Sequence, residues 1–256
     1  MAVDPILLAG AAVVGLCFGS FLNVCIVRLP ADRSLLTPRS ACPRCQHPIA
    51  WYDNVPVVSW LLLRGRCRHC REPISVQYPI IEAAVGALWV GALLLYGPGA
   101  RALAGAVLGT LLVGIAVTDA RHYLIPDEYT WGGLALGLAL ALPGGVSGFL
   151  QAVLGAAAGF ALLFAVAQAG RWAFKEEAMG GGDIKMMAMV GAFVGWRGVL
   201  LTVFLGALLG SLVFVPLSLK KKRLVPFGVF LALGAAVTFV FGDGILAWYQ
   251  HFLHGE

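Results

Sequence analysis

This sequence has little charge and therefore little of the polar surface that a soluble domain needs. Only 12% of its 256 residues are charged, whereas 60% are hydrophobic and a further 33 residues are glycine. Soluble domains carry about 25% charged residues, because water must solvate their surfaces. The shortage of charge excludes a soluble enzyme, and the apolar content excludes a disordered chain.

The sequence also lacks the polar and apolar alternation of transmembrane β-strands, since its apolar residues form continuous runs. Eight runs can be bounded, at residues 6–27, 79–96, 102–118, 129–142, 146–169, 184–195, 199–219 and 224–248. The first run has 22 residues. As a helix it would span about 33 Å, which is enough to cross a bilayer. The sequence therefore predicts an all-α polytopic membrane protein with about eight transmembrane helices.

Basic residues are distributed unevenly among the loops. No Lys or Arg precedes the first run, so we expect a retained helix with its N-terminus outside rather than a cleaved signal peptide. With eight spans, 16 of the 18 basic residues then adjoin cytosolic loops, and only Arg101 and Arg197 lie outside. This bias predicts the orientation in the inner membrane. The net charge of +5 reflects the topology and contact with anionic lipid, and it gives no support for nucleic-acid binding.

Cysteines are few, but four of the six form a regular pattern in the long hydrophilic segment 29–78. Cys42 and Cys45 form one C-x2-C pair, and Cys67 and Cys70 form another after 21 intervening residues. Four thiolates at this spacing suit a closed tetrahedral Zn²⁺ site, which is structural because no ligand position is open to a substrate. Two disulfides are the alternative, and the reducing cytosol disfavours them.

Two aspartates lie at ends of apolar runs that the predicted topology places on the cytosolic side. Asp119 ends the third run, where the helix dipole makes a carboxylate locally unfavourable. Asp183 opens the sixth run, where a helix N-cap is the structural alternative. The structural alternative for Asp119 is an ion pair with Arg121. If the two carboxyl groups meet, one ionised and one protonated member could together activate water for peptide hydrolysis.

Glycines precede one of these aspartates. Gly180, Gly181 and Gly182 come directly before Asp183. Because glycine has no Cβ, Gly180 and Gly182 would let another backbone, such as an extended substrate peptide, approach the carboxylate closely.

Three further ionisable residues are candidates for supporting roles. Glu82 lies near the start of the second run, where an ionisable residue is either functional or buried against a polar partner. Asp127 follows a proline and is expected to cap the fourth run. Lys185 lies two residues after Asp183 and either pairs with it or extends to the membrane interface.

These residues together resemble the type IV prepilin leader peptidases, which are membrane aspartyl proteases of the GxGD class. The glycines with Asp183, Ile184 and Lys185 match the GxGD motif, and Asp119 with the Ile-Pro-Asp of 125–127 resembles the first catalytic motif. Other segments that resemble family signatures are 19–24 with 28–30 in the first helix, the four cysteines, Tyr78-Pro79 with Glu82, and 226–228 with 230–232 in the last helix. Cys25, Val27 and Val229 depart from the usual pattern.

The resemblance implies cleavage of a prepilin or pseudopilin leader at the cytosolic membrane face, with Asp119 and Asp183 as the catalytic pair. It also implies N-methylation of the new terminal residue with S-adenosylmethionine, which no motif here indicates by itself. The expected division is a first transmembrane helix over 1–28, a cytosolic zinc-binding loop over 29–78 and a transmembrane protease core over 79–256. The alternative is an ion-coupled transporter with Asp119, Asp183 and Glu82 as a cation site, although such sites lie near the bilayer midplane.

Overall fold

The computed structural model describes residues 3–175, 179–218 and 226–254 of the chain. The described residues form α-helices and single 3-10 turns, and they pair into no β-sheet. The helices are α1 (Pro5–Arg28), α2 (Val58–Leu62), α3 (Gln77–Tyr96), α4 (Ala100–His122), α5 (Asp127–Ala141), α6 (Gly145–Phe174), α7 (Gly181–Ser218) and α8 (Phe227–His254).

All eight apolar runs are α-helical over nearly all of their described residues, which confirms the all-α polytopic class. The exceptions are Leu142, which lies in a 3-10 turn, and Pro226, which precedes α8. The fourth and fifth runs form α5 and α6, which are separated only by the turn Leu142–Gly144. The sixth and seventh runs form α7, which is broken at Gly195 with φ 69° and ψ 174°. By length and composition, six helical stretches could cross a membrane: Pro5–Ala31, Gln77–Tyr96, Ala100–His122, Asp127–Ala173, Gly181–Phe214 and Phe227–Phe252.

Two of the eight predicted apolar runs form helical segments that are too short to cross a bilayer alone. Helix α5 has 15 residues, which rise about 22 Å against a hydrocarbon core of about 30 Å. The part of α7 before Gly195 is similarly short. Of the basic residues counted toward the cytosolic side, Lys220, Lys221, Lys222 and Arg223 lie outside the described residues.

The chain forms two compact units, Met1–Gly114 and Ile115–Glu256. In the first unit, α1 and α3 pack in antiparallel fashion through small residues. Gly15 lies against Gly86 and Trp89, and Gly19 lies against Glu82. Because helices gain little from the hydrophobic effect inside a membrane, close backbone approach of this kind is what holds them together.

In the second unit, α7 packs against α5, α6 and α8. Its first half is buried, with Met186, Met187, Met189 and Val190 all fully inaccessible. Helices α6 and α7 come so close that the backbones at Gly155 and Gly191 touch. A side chain at either position would separate the two helices, so glycine at both positions is what allows this close packing.

Candidate active site and metal centre

Asp119 lies in the last turn of α4, and its carboxylate is buried, with 6% of the residue exposed. Oδ2 accepts a hydrogen bond from the backbone N–H of Val229 at 3.3 Å, and the N–H of Gly228 also donates to the carboxylate. Both donors belong to the first turn of α8, where helical N–H groups have no partner within their own helix. The positive end of the α8 dipole thus offsets the unfavourable position of Asp119 on α4.

Gly228 makes this arrangement possible because it has no side chain. A methyl group on Gly228 would lie 2.9 Å from Oδ2 of Asp119 and 2.8 Å from Cδ1 of Ile125. Neither neighbour has room to retreat easily, since Asp119 and Ile125 are both buried. Glycine is therefore required for α8 to reach the carboxylate.

Asp183 lies in the first turn of α7 and is half-buried. Its carboxylate is close enough to that of Asp119 for the two to interact electrostatically. Ile125 connects the two segments, because its Cβ lies 3.0 Å from where a Cβ on Gly182 would be. The structure therefore brings together the two aspartates that the sequence singled out, although they are far apart along the chain.

The glycines before Asp183 differ in their surroundings. Gly182 is tightly packed against Ile125, whereas Gly180 is exposed and a methyl group on it would lie 3.7 Å from Oδ2 of Asp183. Helix α7 begins at Gly181, so Asp183 is its third residue and not its N-cap. The exposed glycine leaves the approach to Asp183 open on that side.

Lys185 pairs with Asp127 and not with Asp183. Its Nζ lies 2.6 Å and 2.7 Å from the two carboxylate oxygens of Asp127. Asp127 is the first residue of α5, and the N-cap position belongs to Pro126, so the expectation that Asp127 caps the helix is wrong. The ion pair instead ties the start of α5 to the start of α7.

Glu82 lies in the first unit, near the start of α3, with 7% of the residue exposed. Its carboxylate accepts the backbone N–H of Val57 at 2.6 Å and the hydroxyl of Ser20. Of the two outcomes expected for Glu82, burial against polar partners is the one observed. Burial of this kind is compatible with function, and the structure gives the residue no basic partner among the described residues.

The four predicted zinc ligands converge. All four Sγ atoms lie within 4.8 Å of one another, with Cys42 to Cys70 at 3.7 Å and Cys45 to Cys67 at 4.0 Å. A tetrahedral zinc ion with bonds of about 2.3 Å needs sulfur atoms roughly 3.8 Å apart. The thiols therefore fit the geometry of a metal ion without rearrangement.

Each cysteine pair is held by the same local fold. The backbone N–H of Cys42 donates to the carbonyl of His47, and that of Cys67 donates to Glu72, at 3.0 Å and 2.9 Å. The fourth residue after each of these cysteines, Gln46 or Arg71, has a positive φ. The sequence shows this repeat directly, because Cys-x-x-Cys-x-x-Pro-Ile occurs at both 42–49 and 67–74.

The pKa values of two of the four thiols are shifted in opposite directions. Backbone N–H groups of Cys45 and Arg44 lower the pKa of Cys42 to about 7. For Cys70 the N–H of Glu72 acts in the same direction, but burial and the three neighbouring thiols raise its pKa to about 12. Such a cluster loses its first proton readily and its last one reluctantly, unless a cation takes the place of the protons.

An ion pair stabilises the loop beside the cysteines. Arg68 donates hydrogen bonds to Asp53 at 2.7 Å and 2.5 Å, and its guanidinium lies 5.6 Å from the centre of the Tyr52 ring. These hydrogen bonds hold the pKa of the Asp53 carboxyl below its usual value. The pair links the second cysteine knuckle to the turn Trp51–Asp53.

Three features of the site were not predicted. The N–H donors of Gly228 and Val229 were missed, although the Pro-Phe-Gly of 226–228 is a possible helix start. The bridging position of Ile125 has no sequence signal, since a single apolar residue in a loop is unremarkable by pattern. The pairing of Val57 with Glu82 depends on an unusual backbone turn that its sequence does not indicate.

Comparison with known proteins agrees with the motifs. A model of the Bacterial Peptidase A24 N-terminal domain matches residues 13–96, and a model of the Type IV leader peptidase family matches residues 106–215. The first contains Glu82 and the four cysteines, and the second contains Asp119 and Asp183. No solved structure matches the chain.

Several relatives carry the name Prepilin leader peptidase/N-methyltransferase, and none of these names indicates a transporter. The protein from Myxococcus xanthus is 42% identical over 84% of this chain, which spans 64% of that relative's length. Proteins from Burkholderia pseudomallei and Aeromonas hydrophila are 40% and 36% identical over 92% and 91% of this chain, and 85% and 90% of their own lengths are covered. This polytopic membrane protein therefore belongs to the type IV leader peptidase family, as its motifs predicted.

Proposed function

We propose that the protein cleaves the leader peptide of prepilins or pseudopilins with Asp119 and Asp183, and then N-methylates the new terminal residue. The observation that supports the proposal is that the end of α4 and the start of α7 place Asp119 and Asp183 within electrostatic range, with Ile125 packed against both Gly182 and Gly228. Both residues lie inside the segment that the leader peptidase family model matches. A pair of interacting carboxyl groups is the minimal apparatus for aspartyl protease chemistry.

The surroundings of the two carboxyl groups assign them different roles. Asp119 accepts backbone hydrogen bonds from Gly228 and Val229, which stabilise a negative charge on it. No hydrogen bond to the Asp183 carboxyl is found among the described residues. We therefore assign Asp119 as the ionised base and Asp183 as the protonated acid.

The reaction follows from these assignments. Asp119 takes a proton from a water molecule, and the water oxygen attacks the carbonyl carbon of the scissile peptide while Asp183 donates its proton to the carbonyl oxygen. The tetrahedral intermediate then breaks its C–N bond. The leaving amine receives the proton held by Asp119, and Asp183 recovers its own proton from the new carboxyl group.

The charge distribution supplies the orientation in this proposal. The N-terminus of α1 lies outside, and the cysteine loop and both aspartates lie on the cytosolic side of the inner membrane. Asp119 and Asp183 each adjoin a loop on that side, so an extended substrate would approach from the cytosol, past the exposed Gly180. Membrane lipid is the surrounding medium, and no nucleic acid is involved.

Two further groups belong to the proposal. Cys42, Cys45, Cys67 and Cys70 would hold a structural Zn²⁺ that fixes the two knuckles against each other. S-adenosylmethionine would supply the methyl group. Metal analysis of the purified protein should find one zinc per chain, and Cys42→Ser should lower that content, whereas a wild-type protein without stoichiometric zinc would refute the metal assignment.

Replacement of either aspartate tests the catalytic pair. Asp119→Asn and Asp183→Asn should each slow prepilin cleavage by about a thousandfold, within the range that acid–base groups contribute. Asp32→Asn is the matched control, since Asp32 is exposed and its positive φ suits asparagine. Cleavage is read as a mobility shift of the purified prepilin. Processing by either active-site variant within tenfold of wild type would remove that aspartate from the mechanism.

A further inference from the structure

The first unit contains a buried carboxylate that the proposed peptidase reaction does not use. Glu82 is 7% exposed, and its partners are the N–H of Val57 and the hydroxyl of Ser20. No lysine or arginine pairs with it among the described residues. Because an ionisable residue in a membrane helix is expensive without a cation, its retention points to a cationic ligand.

The backbone that contacts Glu82 is strained. Val57 has φ 61° and ψ −51°, and the N–H of Val58 donates to the carbonyl of Pro56 at 2.6 Å, which closes a three-residue γ-turn around Val57. A positive φ is especially unfavourable for a β-branched residue. The turn directs the N–H of Val57 at the Glu82 carboxylate, and strain of this kind accumulates at functional sites.

Helix α1 supplies the rest of the cluster. A methyl group on Gly19 would lie 2.6 Å from the Cα of Glu82, so the two helices touch there and the adjacent Ser20 reaches the carboxylate. One turn later, the side-chain amide of Asn23 donates to the carbonyls of Gly19 and Tyr78 at 3.3 Å and 3.1 Å. Its Oδ1 is buried and has no hydrogen-bond partner among the described residues.

The spare hydrogen-bonding capacity in this cluster belongs to acceptors. The Glu82 carboxyl group has no basic partner among the described residues, and Asn23 presents a carbonyl oxygen that has no hydrogen-bond partner there. The ligand that complements them is a small cation with several N–H donors, and a primary ammonium group has this chemistry. The methyl sulfonium of S-adenosylmethionine has the charge but no donors, so it complements the cluster less well than a primary ammonium group, which both that cofactor and a peptide terminus carry.

We infer that Glu82, with Ser20 and Asn23, binds the newly cut amino terminus of the pilin and prepares it for methylation. The inference rests on the proposed function, which creates such a terminus. The location agrees with the division of the chain, because this cluster lies in the region matched by the N-terminal domain model and both aspartates lie outside it. The two reactions would therefore use different carboxylates in different units.

The chemistry balances with Glu82 as the proton acceptor. The ammonium terminus transfers one proton to the Glu82 carboxylate, which leaves a neutral amine. S-adenosylmethionine would supply the methyl group: the amine lone pair would attack the methyl carbon as the C–S bond breaks with its electrons on sulfur, which would leave an N-methylammonium and a neutral thioether. Glu82 then releases its proton to solvent.

A binding experiment with a pre-cut pilin peptide tests the site without measuring catalysis. The full-length protein in lipid nanodiscs is titrated with a C-terminally labelled peptide that begins at the cut site, either with a free amine or N-acetylated, in the presence of S-adenosylhomocysteine. Wild type should prefer the free amine by about tenfold or more, as expected for a charged hydrogen bond. Glu82→Gln should lose this preference, and the control Glu128→Gln, at an exposed position, should keep it.

The same titration distinguishes this site from the aspartate pair. Asp183→Asn should retain the preference for the free amine if Glu82 holds the terminus, and it should lose it if the peptidase site does. Equal binding of the two peptides by wild type would overturn the inference without any variant. The proposal can therefore be tested even if Glu82→Gln proves unstable. Failure of the proposal would leave the peptidase assignment intact.

Rates and their pH dependence provide the second test. Glu82→Gln should slow methylation of the pre-cut peptide by about a hundredfold, while cleavage of intact prepilin stays within twofold of wild type. Its residual methylation should rise about tenfold per pH unit until the amine titrates near pH 8, because solvent must then remove the proton. Glu82→Asp should recover part of the rate. Methylation by Glu82→Gln within threefold of wild type, or parallel loss of both reactions, would refute the inference.

Discussion

Asp119 and Glu82 are both buried carboxylates on membrane helices, but the backbone satisfies them in different ways. Asp119 accepts the N–H groups of Gly228 and Val229 from the first turn of α8, where helical N–H groups lack the usual i−4 partner, and the N–H of Val229 is shared with the carbonyl of Pro226. Glu82 accepts the N–H of Val57, which points toward it only because Val57 has a positive φ. The first arrangement uses a group that helix formation provides, whereas the second requires local strain.

The difference explains what each carboxylate is suited to do. Two N–H donors and a helix dipole stabilise the negative charge that Asp119 carries before it removes a proton from water and regains when that proton passes to the leaving amine. A single N–H and one hydroxyl leave Glu82 with acceptor capacity for a ligand. In the second unit, backbone groups of the protein itself satisfy Asp119. In the first unit, Glu82 keeps acceptor capacity for the proposed ligand, the amino terminus of the cut pilin.

The largest effect in this comparison should come from Gly228→Ala. The added methyl group would lie 2.9 Å from Oδ2 of Asp119, so the carboxylate must move away from α8. Displacement of a reacting group by about 1 Å can cost about a hundredfold in rate. We expect prepilin cleavage to fall by that amount, while methylation of a pre-cut pilin peptide stays unchanged.

Gly132→Ala is the control for this substitution. Gly132 also lies on a helix of the second unit, but nothing lies within 4 Å of the position that its Cβ would take. Cleavage rates of the two variants are compared by the mobility shift of a purified prepilin. Normal cleavage by Gly228→Ala would mean that contact with α8 does not position Asp119.

Much of the second unit could be predicted from the sequence, because its chemistry lies in motifs at the ends of apolar runs. Asp119 and Asp183 were identified since charges are rare in such a sequence and both border polar loops. In the first unit, the cysteine cluster was predicted for a different reason, the spacing of its two C-x2-C pairs. In both cases the residues that carry the chemistry are also the ones that break the local pattern.

The supporting contacts could not be predicted, because they depend on which helices meet. Lys185 was expected either to pair with Asp183 or to extend to the membrane interface. Residues two apart on a helix point in different directions, and Lys185 pairs with Asp127 at the start of α5. The role of Val57 was hidden because a valine with positive φ contradicts its own propensity. Both surprises arise from tertiary packing that overrides local preference.

The second prediction measures the strain at Val57. Val57→Gly keeps the N–H that contacts Glu82 and removes the side chain that disfavours a positive φ. Val55→Gly is the control variant: it makes the same valine-to-glycine change in the same segment, at a residue that does not have a positive φ. We expect Val57→Gly to be more stable than Val55→Gly by about 1–2 kcal/mol, as the usual cost of such backbone strain implies.

Thermal unfolding of the two purified glycine variants in the same detergent provides the comparison. Methylation of a pre-cut peptide by Val57→Gly should remain within threefold of wild type, because the hydrogen bond to Glu82 survives. A lower unfolding temperature for Val57→Gly than for Val55→Gly would show that the turn at Val57 is not strained.

The third prediction concerns the ion pair between Lys185 and Asp127. Both side chains are partly exposed, at 32% and 55%, so the pair should contribute about 0.2–1 kcal/mol. Asp127→Asn should therefore slow cleavage by about threefold, by loosening the start of α7 near Asp183. The swapped variant Asp127→Lys with Lys185→Asp should recover the rate, since it restores the pair in reverse. A swap as slow as the single variant would show that Lys185 acts through something other than this pair.

The smallest expected effect tests a carboxylate outside the membrane helices that has a charged partner. Arg68 lowers the pKa of Asp53, so the group contributes stability that is present above its unfolded pKa of about 3.9 and is lost as pH falls below it. Asp53→Asn should destabilise the cysteine loop by at most about 1 kcal/mol, because the Arg68 side chain is 51% exposed, although that of Asp53 is only 11% exposed. Hydrogen exchange over residues 51–70 should show the same difference between variant and wild type at every pH from 8 to 5, since Asp53 stays ionised throughout. If the difference between variant and wild type fades between pH 8 and pH 5, Asp53 titrates within that interval and Arg68 does not keep it ionised. A constant difference would show that Asp53, which has a charged partner, differs in this respect from Asp119 and Glu82, which have none among the described residues.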